Sequence, residues 1–125
     1  VVYLLVGIAG WFVTGFDGFT EHDPDQTLMG FAVNPLHNIV HLLIGLAGVV
    51  MWSTADRART YGWLLAIGYG AAFLYGLFAV DNPNANFLNI NWADNWLHLV
   101  STLAGLAIAL WPRRDRGTVD RTGRV

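Results

Sequence analysis

Four long apolar runs constrain this chain more than any other feature. They are Val1–Phe16, Pro35–Trp52, Tyr61–Val80 and Ala93–Trp111, and the last three hold 18, 20 and 19 residues. A helix needs about 20 apolar residues to cross the hydrocarbon of a bilayer. None of those three runs contains Lys, Arg or Glu. Their Leu, Ala, Gly and Ile do not alternate with polar residues, which argues against a β-barrel. The runs therefore predict an all-α bundle of four transmembrane helices, one domain over residues 1–112, with residues 113–125 as a disordered basic tail. The first run has 16 residues and reads as the remainder of a longer helix. A signal peptide fits it less well, because neither a basic head nor a small-residue cleavage site is visible.

Charge gives the orientation. All seven basic residues are Arg: Arg57 and Arg59 between runs two and three, and Arg113, Arg114, Arg116, Arg121 and Arg124 after run four. The other two connections, Asp17–Asn34 and Asp81–Trp92, carry Asp17, Glu21, Asp23, Asp25 and Asp81 and no Arg. The positive-inside rule then places both termini in the cytoplasm and both acidic connections outside. Trp52, Tyr61, Trp63 and Trp111 mark the inner boundary, and Trp92 and Trp96 the outer one, as expected of aromatic belts. A hydrophobic fraction of 54% and a mean hydropathy of +0.43 exceed those of soluble domains of this size. A net charge of -2 argues against nucleic acid as a partner. Without cysteine there is no disulfide, thiolate metal site or thiol nucleophile.

The chain is also duplicated. Asn34-Pro-Leu-His37-Asn38-Ile-Val-His41-Leu is answered 57 residues later by Asn91-Trp-Ala-Asp94-Asn95-Trp-Leu-His98-Leu, and Leu46-Ala47-Gly48 by Leu103-Ala104-Gly105. Each copy comprises two spans, so the chain returns to its starting side between copies. The halves become two tandem helical hairpins in parallel orientation, related by an axis along the membrane normal. Runs one and three match poorly beyond their Gly and aromatic content. Gly62, Ala66 and Gly70, and Gly68, Ala72 and Gly76, form two ladders of small residues on the third helix, the pattern that lets helices approach closely in lipid.

Asn34, His37, Asn38 and His41 fall on one helical stripe, as do Asn91, Asp94, Asn95 and His98. The simplest reading is an interhelical polar clasp. Asn34 before Pro35 is a strong helix start, and Asn91 with Asp94 resembles a capping pair. Asn38, Asn95, His41 and His98 would then hydrogen-bond across the interface, at about 1 kcal/mol each. A second reading is a transition metal held by His37, His41, Asp94 and His98. A third is b-type haem with His41 and His98 as axial ligands, admitted by Gly45, Gly48 and Gly105. Asp94 with His98 as a proton-relay pair is a fourth. The clasp needs no cofactor.

Other features are plainer. Glu21, His22, Asp23 and Asp25 read as a solvated acidic loop, because they lack the spacing of a calcium loop. Asp81-Asn82-Pro83-Asn84-Ala85-Asn86 is turn-forming. No Ser-His-Asp arrangement or phosphate-binding loop is readable, so nothing points to hydrolysis or phosphoryl transfer.

In the segments starting Asn34-Pro-Leu-His-Asn, Ala58-Arg-Thr-Tyr-Gly-Trp and Asn89-Ile-Asn-Trp-Ala-Asp-Asn, the chain resembles a bacterial family of four-helix integral-membrane proteins classed as a domain of unknown function. The resemblance spans about residues 1–112. It implies the fold and a multi-pass place in the bacterial inner membrane, and supplies no substrate, cofactor or catalytic residue. The functional expectation is a structural, accessory or interaction subunit rather than an enzyme. The clasp is Asn34, Asn38, Asn91 and Asn95, and the partners are lipid and either another membrane protein or a second copy. Metal or haem binding at His37, His41, Asp94 and His98 is the alternative.

Overall fold

The computed structural model describes residues 1–112, so the expected basic tail lies outside the described residues. Among these residues there are four helices, α1 (Val2–Thr14), α2 (Pro35–Met51), α3 (Ala55–Ala79) and α4 (Trp92–Ala109), and one ribbon of two short strands, β1 (Thr27–Leu28) and β2 (Phe31–Ala32). Helix α3 alone is long and apolar enough to cross a membrane by itself, while α1 and α2 are apolar but shorter.

Helix starts follow the capping chemistry. The Asn34 side chain accepts from the His37 N–H, with Pro35 next in the chain. Asn91 accepts from the Asp94 N–H while the Asp94 carboxylate accepts from the Asn91 N–H, which completes a capping box. Helix α3 starts six residues before its apolar run, because Thr54 accepts from the Arg57 N–H and so draws Asp56, Arg57 and Arg59 into the helix. The connection expected over residues 53–60 shrinks to a tight turn. The ribbon in the first connection is not readable as strand, since each strand is two residues long. Its turn is made by Met29 and Gly30, both at positive φ (54° and 89°), the geometry of a tight hairpin turn.

Helices α1 and α2 pack closely as one hairpin, and α3 and α4 as the other. The starts of α2 and α4 lie at the same end of the bundle, because Asn34 bonds the Phe87 carbonyl and Asn91 bonds the Gly30 carbonyl. Glycines set the helix separation. A Cβ on Gly45 would strike the Leu4 backbone, one on Gly62 would lie 2.7 Å from the Ala109 nitrogen, and one on Gly105 2.6 Å from the Ala66 nitrogen. Of the two ladders on α3, Gly62, Ala66 and Gly76 are buried, whereas Gly68 faces open space.

The hairpins share a contact hidden in the sequence. A Cβ at Gly10 would collide with the Asn38 amide, and one at Gly76 with the Asn95 amide. Gly10 and Gly76 are 66 residues apart, as are Tyr3 and Tyr69. The first helices of the two hairpins thus repeat as Tyr-x6-Gly, nine residues out of step with the 57-residue offset of α2 and α4. The extra residues sit in the first connection, where the ribbon is.

The distribution of side chains is inverted. Among the described residues, fully buried positions include Asn34, His37, Asn38, His41, Asn86, Asn89, Asp94, Asn95, His98 and Ser101. Large apolar side chains such as Phe12, Leu43, Ile67, Phe78, Val100 and Leu103 point outward. A water-soluble domain places these classes the other way round.

Gly76→Ala is expected to lower stability by about 1–3 kcal/mol through overpacking against the Asn95 amide. Gly68→Ala is expected to hold or raise it by up to about 1 kcal/mol. Thermal melts of the detergent-purified protein measure both, and equal effects at the two sites would refute the packing described.

Candidate functional site

The polar residues divide into two groups with different partners. The first is a layer of amides across the end of the bundle where α2 and α4 begin. Asn34, Asn38, Asn86, Asn89 and Asn95 are each at most 1% exposed. Asn34 donates to the Glu21 and Phe87 carbonyls at 3.2 and 2.8 Å. Asn91 donates to the Gly30 carbonyl at 2.9 Å. Each cap therefore holds its own helix and the connection of the other hairpin. Asn89, at φ 51°, accepts from the Asp23 N–H and donates to the Asp23 and Val33 carbonyls. Asn86 brackets Ile90, accepting from its N–H and donating to its carbonyl at 2.7 Å.

Asp94 belongs to this layer. Its Oδ2 accepts from the Ala32 N–H at 3.0 Å and the Asn91 N–H at 2.9 Å. It fastens β2 of the first half to α4 of the second. The capping role read from the sequence is the one the structure builds, and Asp94 does not turn toward the imidazoles.

The second group lies deeper. His37 and His41 of α2 have ring centroids 4.5 Å apart, and His37 lies 6.1 Å from His98 of α4. Tyr69 of α3 sits 5.5 Å from His98, Tyr3 of α1 sits 6.2 Å from His41, and the two tyrosines stack at 5.2 Å. All four helices contribute. The two pairs Tyr3–His41 and Tyr69–His98 are equivalents under the repeat. The stripe reading places the three histidines together but misses the tyrosines. Their signal was the Tyr-x6-Gly repeat, obscured by the nine-residue shift in register.

Hydrogen bonds of the interior are strongly asymmetric. Asn38 donates to the Thr14 hydroxyl at 3.0 Å. The position equivalent to Thr14 in the second half is Val80, and neither amide atom of Asn95 has a partner among the described residues. Tyr3 donates to the Ser101 hydroxyl at 2.7 Å. The position equivalent to Ser101 is Ile44, and the Tyr69 hydroxyl is unpartnered. The Nδ1 atoms of His37, His41 and His98 also lack partners. The Nδ1 atoms thus make no hydrogen bond across the interface. Of the asparagines expected in the clasp, Asn38 bonds within its own hairpin and the Asn95 amide bonds nothing among the described residues. Asn34, Asn89, Asn91 and Asp94 make the bonds between the halves.

The two cofactor readings fare differently in detail. Among the described residues, no group of three or more His, Asp or Glu side chains is arranged to hold a metal ion, and Asp94 is occupied by two backbone amides. A haem needs a slot beside His41 and His98. The glycines expected to open it are filled, Gly45 by the Leu4 backbone, Gly48 by the Tyr61 ring and Gly105 by α3, and Tyr3 and Tyr69 stand beside the imidazoles. The residues present do not fit a macrocycle. An apolar groove of about 450 Å³, lined by Gly48, Met51, Trp52, Tyr61 and Ile108 among others, involves the far ends of α2 and α4 and none of the histidines.

No curated protein and no solved structure matches the chain. Residues 1–111 match the family described as "Domain of unknown function (DUF4383)", and the chain belongs to that family.

Proposed function

We propose that this is a multi-pass protein of the bacterial inner membrane. Its four helices all span the bilayer, both termini are cytoplasmic, and an amide clasp beneath the outer face locks two parallel hairpins into one accessory or interaction subunit. The observation that carries the reading is the reciprocal capping. Asn34 of the first hairpin holds Phe87 of the second, and Asn91 of the second holds Gly30 of the first. Such an arrangement makes each helix start depend on the other half.

The inverted side-chain distribution supports the bilayer. Polar groups are buried, and apolar ones face outward along the helices, where lipid or another membrane protein would cover them. The short α2 suits a bundle in which a capped start and an ordered cap layer cover the remaining depth on the outer side. Arg57 and Arg59, at the opposite end from the acidic connections, support cytoplasmic termini. A second copy or a membrane-protein partner would dock on the lipid-facing surface.

Topology is testable because the chain has no cysteine of its own. Single cysteines at Asp25 and Asn84 are expected to react with a membrane-impermeant maleimide in intact spheroplasts. One at Ala55 is expected to react only after permeabilisation, and the reverse pattern would overturn the orientation.

For the clasp, Asn34→Ala and Asn91→Ala are each expected to destabilise by about 1–2 kcal/mol, the scale of a lost cap plus a broken hydrogen bond. The double variant is expected to cost less than the sum, because both act on one interface. Strict additivity in thermal melts would show two unconnected caps.

The purified protein is expected to be colourless and to carry no stoichiometric transition metal. A Soret band lost in His41→Ala, or near-equimolar metal lost in His98→Ala, would replace the clasp with the corresponding cofactor site.

A further inference from the structure

The clasp accounts for Asn34, Asn89, Asn91 and Asp94, but it leaves the deeper group unused. His37, His41, His98 and Tyr69 are each at most 4% exposed, and each holds a polar atom with no hydrogen-bond partner among the described residues. A buried polar group left unpaired costs about 1–3 kcal/mol. Four such atoms on adjoining rings call for a ligand.

The rings close a circuit. It runs from His37 to His41 (4.5 Å), to Tyr3 (6.2 Å), to Tyr69 (5.2 Å), to His98 (5.5 Å) and back to His37 (6.1 Å). Its ends reach in two directions. Toward the cap layer, His37 faces the backbone of Ala32 and Leu88. Away from it, Tyr3 bonds Ser101, and Tyr61 donates to the Ile44 carbonyl at 3.0 Å. These polar groups lie inside the bundle at successive depths below the first turn of α2.

The chemistry narrows the ligand. A macrocycle does not fit and no metal cage is formed. What fits between unpaired imidazole nitrogens and a phenol is a group that donates and accepts at once, which is water. Imidazole takes a proton at one ring nitrogen and gives one up from the other. Buried ionisable side chains within membrane helices recur in proton pathways.

We propose that the ring of His37, His41, Tyr3, Tyr69 and His98 binds water and relays protons through the bundle, entering at His37. The proposal rests on the membrane-spanning reading above. In each step a protonated water gives its extra proton to the unprotonated imidazole nitrogen and is left as neutral water. The opposite nitrogen then releases its own proton to the next water or phenol. One proton enters for each that leaves, and no oxidant or reductant takes part. The titratable groups facing the ring are Tyr3 from α1, His37 and His41 on α2, Tyr69 and Tyr61 from α3, and His98 from α4, while Asp94 at the start of α4 is turned to the backbone of Ala32 and Asn91. The ribbon and the second connection bring the Ala32 and Leu88 backbone.

The test uses the full chain in vesicles of phosphatidylethanolamine and phosphatidylglycerol with a trapped pH-sensitive dye. A potassium diffusion potential set by valinomycin drives the flux. Wild-type vesicles are expected to acidify faster than protein-free ones. His98→Gln keeps a hydrogen-bonding side chain but removes the two-nitrogen ring, and His41→Phe keeps the ring shape; each is expected to cut the protein-dependent rate at least about tenfold. Gly68→Ala is expected to leave it unchanged. A wild-type rate equal to that of empty vesicles overturns the relay, whatever the variants do. So does a rate that persists in both histidine variants. Maleimide labelling of Asp25→Cys, Asn84→Cys and Ala55→Cys in the same vesicles, before and after permeabilisation, reports separately on whether the protein spans them, so a failed relay is distinguished from a failed topology.

Discussion

Each hairpin closes on an asparagine amide pressed against a glycine. Asn38 lies where a Cβ of Gly10 would be, and Asn95 where a Cβ of Gly76 would be. A Cβ at either glycine would push the amide out of the interface. The contact fixes the depth at which α1 meets α2 and α3 meets α4. That depth in turn brings Tyr3 level with His41 and Tyr69 level with His98. The central ring of aromatic side chains is therefore a consequence of two small-residue contacts made one turn or more away from it.

The two halves then diverge in their hydrogen bonding, and the divergence is all in the partners. Thr14 serves Asn38 while Val80 leaves Asn95 without one, and Ser101 serves Tyr3 while Ile44 is the matching position for Tyr69. His37 and Asp94 are equivalent positions with opposite fates. One looks inward to the imidazoles, and the other looks sideways to the backbone of β2. A perfect repeat would place two carboxylates or two further imidazoles together near the axis. The substitution instead gives one half the anchor for the ribbon and the other half the third imidazole.

Much of this was legible from residue patterns, and the remainder has physical reasons for staying hidden. Apolar runs locate α1, α2 and α4 to within a few residues, because lipid-length hydrophobicity and Asn/Pro caps both mark the boundaries. The start of α3 is missed because Thr54 caps a charged turn that composition reads as loop. The ribbon is missed because two-residue strands carry no periodicity, and its turn conformation at Met29 is not one that a Met side chain advertises. Among site residues, the histidine stripe is visible from its spacing alone. The tyrosines are not, since an insertion in the first connection shifts α1 and α3 out of the register that exposes α2 and α4. Asp94 satisfies both a capping pattern and a ligand pattern, and sequence cannot choose between a backbone N–H and a metal.

The division of labour between the layers also explains why the imidazoles can remain unpaired without the fold collapsing. The hydrogen bonds between the halves come from Asn34, Asn89, Asn91 and Asp94, each bonded to a backbone group of the other half. The deeper ring is then relieved of structural duty, and its polar atoms are left open to small molecules that the surrounding helices have no side chains to replace. Had the histidines supplied the clasp, any change in their protonation would have pulled the hairpins apart. With the amides in that role, a proton can be gained or lost in the interior while the caps above stay closed, which is the condition a relay inside a four-helix bundle has to meet.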